Sequence, residues 1–336
     1  MKKTHILLTG ASGTVGFEVL KQLIKKGDYN ISVFDKESKL SRKKLSPYND
    51  QINLIYGDIS NPSDLEEIIN IDVVIHLAAI IPPLADEVPE LAKKVNIQGT
   101  QNLIKQLETH SPEAFFLYSS SISVYGDRIE NPYIQINDPL IPSEGDAYAE
   151  TKIEAEKHLQ NSKLDWTIFR LAAIMGGHKM SKLMFHQPLN TALEIATPRD
   201  TARAFVNAIE KQEELSKQIF NLGGGENCRI SYEHFLERSF AIFGLGKLDF
   251  PEHAFADKNF HCGYYADGDK LEKIVNFRKD SLEDYFKMET SKISTVKKTA
   301  ASIFRKPIKW YLLKQSEPLE AWQNNDKKLK EHFFNK

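Results

Sequence analysis

Apolar residues along this chain recur at two different spacings. Short, nearly continuous apolar runs fall at 5–9, 31–34, 53–56, 73–76, 115–119 and 166–170. Each has the length of a strand, and a run that is apolar on both faces suits a strand covered by helices on both sides. Between them lie stretches with helical spacing at 15–26, 62–69, 89–107 and 148–159. Strands and helices taking turns in this way predict an α/β fold, a doubly wound parallel sheet with crossover helices. Helix-start chemistry supports the second helix: Asn61-Pro62 supplies a cap and then a proline, and Asp64 puts an acid in the first turn.

After about residue 175 the alternation loosens. Residues 176–188 and 248–269 read as loops of a smaller lobe, whereas a helix at 200–210, a strand at 218–222 and a helix at 232–243 remain clear. The expected division is therefore 1–175 for the sheet domain, 176–290 for a smaller lobe interleaved with late sheet elements, and 291–336 for an extension. No internal repeat or low-complexity segment is visible.

Charge changes the picture only at the end of the chain. The net charge is −2, which gives no reason to expect nucleic acid as a partner. From Lys292 to Lys336, however, 11 Lys/Arg stand against 4 Asp/Glu, a net of +7 that leaves −9 for the rest. Ile303, Phe304, Ile308, Trp310, Tyr311, Leu312 and Leu313 cluster among these lysines, and Pro307 breaks any single long helix. The favoured reading is a helix pair packed on its own domain or on a dimer mate. The other is a basic amphipathic segment in peripheral contact with an anionic membrane.

Cys228 and Cys262 fit neither a disulfide framework nor a zinc site, and a reducing cytoplasm suits them. The apolar run Ile6-Leu7-Leu8 is too short for a signal peptide, and no stretch approaches the roughly 20 apolar residues of a membrane span. His178, His186, His253 and His261 lack metal-ligand spacing and read as surface or loop residues, so no metal site is expected.

The first strand runs directly into Thr9-Gly10-Ala11-Ser12-Gly13-Thr14-Val15-Gly16, which opens a helix. Glycines there allow a tight turn and close approach to a pyrophosphate, while the helix N-terminus offers free N–H groups. With a strand before it and a helix after it, this is the phosphate loop of a Rossmann-type fold. Cofactor contacts are expected from Gly10, Ser12, Gly13, Thr14, Val15 and Gly16. Asp35 ends the second strand, where a carboxylate accepts ribose hydroxyls and repels a 2′-phosphate, favouring NAD over NADP. Lys36, Arg42, Lys43 and Lys44 lie near enough to work against that preference.

Tyr148 and Lys152 stand at i and i+4, on one side of a helix. A nearby ammonium stabilises a phenolate and should pull the tyrosine pKa toward neutrality, as an acid/base group needs. Ser119-Ser120-Ser121 ends a predicted strand, where sheet enzymes place their chemistry.

Together these residues resemble the extended short-chain dehydrogenase/reductases, the NAD-dependent epimerase/dehydratase family, over roughly residues 4–285. Gly57-Asp58-Ile59 is similar to the family's adenine-contacting motif, and His76-Leu77-Ala78-Ala79 to the strand end lining the cofactor. Asn96 matches the family's helix asparagine. The resemblance implies further cofactor contacts from Asp58, Ile59, Leu77, Ala78, Ala79 and Asn96. It makes Ser121 the catalytic serine, Tyr148 the acid/base, and Lys152 the residue that binds nicotinamide ribose and tunes Tyr148. Arg170 matches a strand-end arginine and Asp200 an aspartate opening a later helix.

Departures narrow the function. Ile122-Ser123 stands where sugar-nucleotide 4,6-dehydratases carry an Asp-Glu pair. Arg170 is followed by Leu171-Ala172-Ala173-Ile174 rather than an early asparagine, and only 30 positions separate it from Asp200. The part that would clasp a nucleoside diphosphate is cut down. The resemblance thus implies an NAD-dependent oxidoreductase transferring hydride on a small alcohol/carbonyl substrate. A nucleotide-sugar epimerase with tightly bound NAD is the alternative. A non-catalytic cofactor-sensing protein is a third reading, against which the complete Ser121, Tyr148 and Lys152 set argues. Helices 89–107 and 148–159 pack between subunits in many relatives, which implies a homodimer.

Overall fold

The computed structural model describes residues 3–176 and 180–335. Five strands lead the chain: β1 (Thr4–Thr9), β2 (Tyr29–Asp35), β3 (Asn53–Tyr56), β4 (Val73–His76) and β5 (Phe115–Ser121). Strands Asp165–Leu171 and Gln218–Leu222 complete a seven-stranded parallel sheet. Its order is Gln218–Leu222, Asp165–Leu171, β5, β4, β1, β2, β3. All six apolar runs are strands, and their ends fall within two residues of the sequence reading.

Alternation along each strand feeds two cores. Ile6, Leu8, Val73, Ile75, Phe115 and Leu117 face a layer with Val19, Leu20 and Leu23 of helix α1 (Thr14–Lys26) and Phe205 of helix Pro198–Ala208. Leu7, Val74, Phe116 and Tyr118 face the opposite layer, with Leu103 and Leu107 of helix Thr100–His110 and Leu159 of helix Ala147–Gln160. Successive side chains must point to opposite faces, so a run buried on both is apolar throughout. Fully burying each such leucine or isoleucine contributes about 1.5–3 kcal/mol. The strand order reverses between β1 and β4, and there the connecting loops diverge and open a crevice over the carboxyl ends of the strands.

Three sequence expectations change. The helix expected at 62–69 is only a 3₁₀ turn, Pro62–Leu65. Asn61 does not cap it; its amide donates to Asp64 instead, and Asp64 also accepts from the Asp58 N–H, so these side chains hold the turn rather than start a helix. The helix expected at 89–107 begins as Pro89–Ala92, widens into a π-helical stretch Lys93–Gly99 and continues as Thr100–His110. The extension forms four short helices, Thr295–Ile303, Arg305–Leu313, Glu317–Gln323 and Lys327–Phe333. The break between its first two helices falls at Phe304; Pro307 sits in a first helical turn, where its missing N–H has no partner to lose.

The extension packs on its own chain. Leu312 joins a third core with Met184, Phe235, Leu236, Phe240, Tyr285 and Phe286, while Ala321, Phe333 and Phe334 pack on Ala256. Among the described residues no helix is long and apolar enough to cross a membrane.

Candidate active site

The phosphate loop is shaped by two glycines that admit no side chain. Gly10 has φ +72°, and a Cβ there would lie 2.8 Å from the Ala78 nitrogen. A Cβ on Gly16 would lie 2.1 Å from the Gly10 carbonyl oxygen. Gly13 caps α1 without a side-chain hydrogen bond, so the first N–H groups of the helix point outward unpartnered by a cap. No acidic side chain occupies that first turn.

Asp35 stands beside this loop. Its carboxylate accepts the Ser12 N–H at 2.7 Å and the Ser12 hydroxyl at 3.0 Å. Burial pushes its pKa up, and the Ser12 hydrogen bonds oppose that shift. Of the four cations near it, Lys36 pairs with Asp58 and Arg42 with Glu37, while Lys44 donates to the Ser12 carbonyl and its charge also reaches Asp35. Asp58 accepts from the Ser60 hydroxyl and N–H as well as from Lys36, which holds it at about 2.

At the end of β4, His76 is buried between two hydroxyls. Thr9 Oγ1 accepts from the Leu77 and Ala78 amides, so its own proton goes to His76 Nδ1 at 2.7 Å. Thr100 donates to the Asn96 carbonyl, so its oxygen accepts from His76 Nε2 at 3.0 Å. This fixes a neutral Nε2–H tautomer, and burial lowers the pKa to about 3. Asn96, in the π-helical stretch, grips Ile80 through both its N–H and its C=O and donates to Thr151 at 2.9 Å. It thereby ties the loop after β4 to the helix that carries Tyr148.

Tyr148, Lys152 and Ser121 meet as the sequence placed them. The Ser121 hydroxyl hydrogen-bonds to the Tyr148 phenol, and Lys152 Nζ lies 5.6 Å from the Tyr148 ring centre. The electrostatics, however, correct the expectation. Burial pushes the Tyr148 pKa up, the Ser121 hydrogen bond opposes, and the charges of Asp146 and Asp86 raise it further. Lys152 is itself buried and donates to the Ser119 carbonyl at 2.7 Å; burial lowers it to about 7, against the pull of Glu156. In the free protein, loss of hydration outweighs any pull from the ammonium.

Beneath this set runs a buried network that the sequence did not announce. Glu156 takes Arg170 in a bidentate pair at 3.0 and 2.7 Å, and Arg170 donates to the Tyr125 hydroxyl, which donates to Asn221. Asp200 accepts the Lys279 and Asp280 N–H groups and pairs with Arg203, a structural clasp away from the site.

A cleft of about 950 Å³ joins these parts. At one end it is lined by Gly10, Gly13, Thr14, Val15, Gly16, Leu77 and Ala79, and in the middle by Ser121, Tyr148 and Lys152. Ser12, Asp35, Asp58, Ile59, Ala78 and Asn96 are not part of its lining; Ile59 is buried in a core. The far end is mainly apolar, with Met175, Met184, Leu236, Phe243, Tyr285 and, from the extension, Phe333, but Lys182, His186, Glu289 and Glu317 also line it.

Two of the histidines read as surface or loop residues line this cleft instead. His261 lies 2.8 Å from Asp146, which also caps the Tyr148 helix through the Ala149 N–H. His186 lies 2.8 Å from Glu317 of the extension. His253 stacks on Trp322, and His178 lies outside the described residues. Asp146 before a helical run carries a local N-cap signal; His261, 115 positions away, carries none. Among the described residues no group of three His, Cys, Asp or Glu side chains could hold a metal ion.

A glycine loop and helix N-terminus at the reversal of a parallel sheet define a dinucleotide-binding Rossmann fold. Known proteins agree with this assignment. The sequence profile of the NAD dependent epimerase/dehydratase family matches residues 6–193, more than half of the chain, and the protein belongs to that family. D-erythronate dehydrogenase of Cupriavidus necator is 24% identical over 250 residues, which cover 66% of this chain and 77% of the relative. A decarboxylating sterol-4-alpha-carboxylate 3-dehydrogenase of Schizosaccharomyces pombe is 28% identical over 182 residues, 52% of each chain. The crystal structure of UDP-glucuronic acid 4-epimerase from Bacillus cereus, in complex with UDP-glucuronic acid and NAD, superposes with a TM-score of 0.71. It covers 86% of this chain and 98% of the epimerase at 21% identity, which shows a shared fold.

Proposed function

We propose that the protein is an NAD-dependent oxidoreductase interconverting a hydroxyl and a carbonyl on a small, largely apolar substrate. The observation that carries this reading is the continuity of the cleft. It runs from the glycine loop, past Ser121, Tyr148 and Lys152, into a mainly apolar chamber.

The residues present fit NAD. Gly10 and Gly16 keep open a space that any Cβ would fill, and the uncapped head of α1 offers its N–H groups to phosphate. Ser120 contributes a cleft hydroxyl with no hydrogen-bond partner among the described residues. Asp35 keeps lone pairs for ribose hydroxyls, and Lys36 and Arg42 are paired with other carboxylates, which favours NAD over NADP. Bound NAD supplies the acceptor or donor of the hydride. Residues 1–175 hold it, and 176–290 together with the extension shape the substrate end.

Tyr148 passes a proton to or from the substrate oxygen, and Ser121 orients that oxygen. Lys152, near neutrality at about 7, changes charge at little cost as Tyr148 gives up its proton. Cys228 and Cys262 are buried free thiols, in keeping with a cytoplasmic enzyme. A homodimer packed through helices Thr100–His110 and Ala147–Gln160 is part of the same reading, and sedimentation equilibrium tests it.

A panel of apolar secondary alcohols and nucleotide sugars, scored for reduced nicotinamide and for product, tests the proposal. Net NAD reduction by an apolar alcohol is the expected result. Epimerised nucleotide sugar with no net reduction would hand the site to the epimerase alternative.

A further inference from the structure

Seven Lys/Arg and no Asp/Glu occupy the 23 positions from Lys292 to Lys314. The two helices there, Thr295–Ile303 and Arg305–Leu313, are packed on one side only. Ala301, Ile308 and Leu313 lie against the third core and Leu312 is buried in it. The other side is apolar and bare: Val296 is 78% exposed, Ile303 71%, Phe304 59%, Trp310 59% and Tyr311 64%. Nowhere else among the described residues do five large apolar side chains stand this exposed within 16 positions.

Helical spacing sorts the two sides. Lys306, Trp310 and Lys314 recur at intervals of four, with Tyr311 beside them, whereas Ile308 and Leu312 recur on the packed side. Lys314 Nζ sits 3.8 Å from the centre of the Trp310 ring. Lys292 and Lys309 are paired with Glu289 and Asp249, and the charge of Arg305 reaches Asp249, but Lys297, Lys298, Lys306 and Lys314 have no carboxylate partner among the described residues. Hydrophobic burial alone would have hidden these aromatics, and a merely solvated face would not carry them.

We propose that this face docks on an anionic lipid bilayer. Tryptophan and tyrosine rings have one apolar and one polar side, which suits the headgroup boundary, and lysines around them meet lipid phosphates. The remainder of the chain carries −9, so an anionic surface attracts this face and repels the rest, which sets the orientation. On the packed side the same helices share their core with Met184, Leu236 and Tyr285, which line the apolar end of the cleft. Docking therefore sets these helices between the lipid and the core that also lines that end of the cleft. Vesicle binding needs neither cofactor nor substrate, so it stands apart from the catalytic reading.

The test is flotation of the full chain with vesicles of phosphatidylcholine alone and of phosphatidylcholine mixed with phosphatidylglycerol. Two double variants are run beside the wild type: Trp310→Ser with Tyr311→Ser, and Lys306→Glu with Lys314→Glu. All four side chains are exposed, and unchanged circular dichroism checks the fold. The protein should float with the anionic vesicles and bind at least about tenfold more weakly to neutral ones. Each double variant should lose at least about tenfold in binding to anionic vesicles. No binding to anionic vesicles, or undiminished binding by both variants, overturns the proposal. So does a dimer that the same substitutions dissociate in the absence of vesicle binding, which would make the face an interface between two copies.

Discussion

The two ends of the cleft are built in different ways. The cofactor end comes from a few short segments, each closing on its neighbour: the loop between β1 and α1, which Asp35 at the end of β2 braces from behind, and the residues just after β4. The substrate end gathers Met175, Leu236, Phe243, Tyr285 and Phe333, which span 159 positions of the chain. The first is a rigid shape dictated by backbone, in which a single added carbon has nowhere to go. The second is a packing of interchangeable apolar side chains, which sets size and polarity but tolerates change.

Substitutions should separate the two. Gly16→Ala carries the largest effect, because its Cβ would sit 2.1 Å from a backbone oxygen that cannot move aside. It should cost about 3 kcal/mol or more in chemical denaturation and abolish measurable NAD binding in calorimetry. A Gly16→Ala protein that binds NAD normally would erase the contrast.

His76 tests the rigidity of the same end by pH. Its folded pKa of about 3 lies below the unfolded value of 6.5. Between those values the unfolded chain takes up a proton that native His76 refuses. Its contribution to stability is therefore full above pH 6.5 and is lost as the pH falls toward 3, at up to about 1.4 kcal/mol per pH unit. Urea titrations across that window should show the slope, and His76→Asn should flatten it.

The smallest effect belongs to the tolerant end. Phe243→Ala should raise KM for an apolar alcohol by about tenfold, with NAD affinity and kcat nearly unchanged. Loss of NAD affinity in this variant would mean that the two ends are not separable.

The same contrast explains what could be read from the sequence. Continuous apolar runs, glycines at a strand-to-helix turn and a Tyr–Lys pair at helical spacing are local signals; the structure makes the runs strands and brings the glycine loop and the Tyr–Lys pair onto one cleft. Asn61-Pro62-Ser63-Asp64 misled because its side chains bond one another across the turn instead of capping a helix. The tuning of Tyr148 misled for another reason. Spacing brought Lys152 near, but the buried environment that depresses Lys152 and raises Tyr148 is made by the whole fold. His186 and His261 gained their places only through Glu317 and Asp146, each more than 100 positions away. The extension carried both of its readings at once, one face packed and one bare, which composition alone could not divide.

In the proposed mechanism Tyr148 performs acid/base chemistry at the junction of the two ends. Its most direct test is Tyr148→Phe, assayed for NAD-dependent alcohol oxidation and, on the same protein, for NAD affinity. The expected result is a loss of about 10²- to 10⁴-fold in kcat with NAD affinity within about threefold of wild type. Retained turnover would contradict the role given to Tyr148, and with it the mechanism proposed for this cleft.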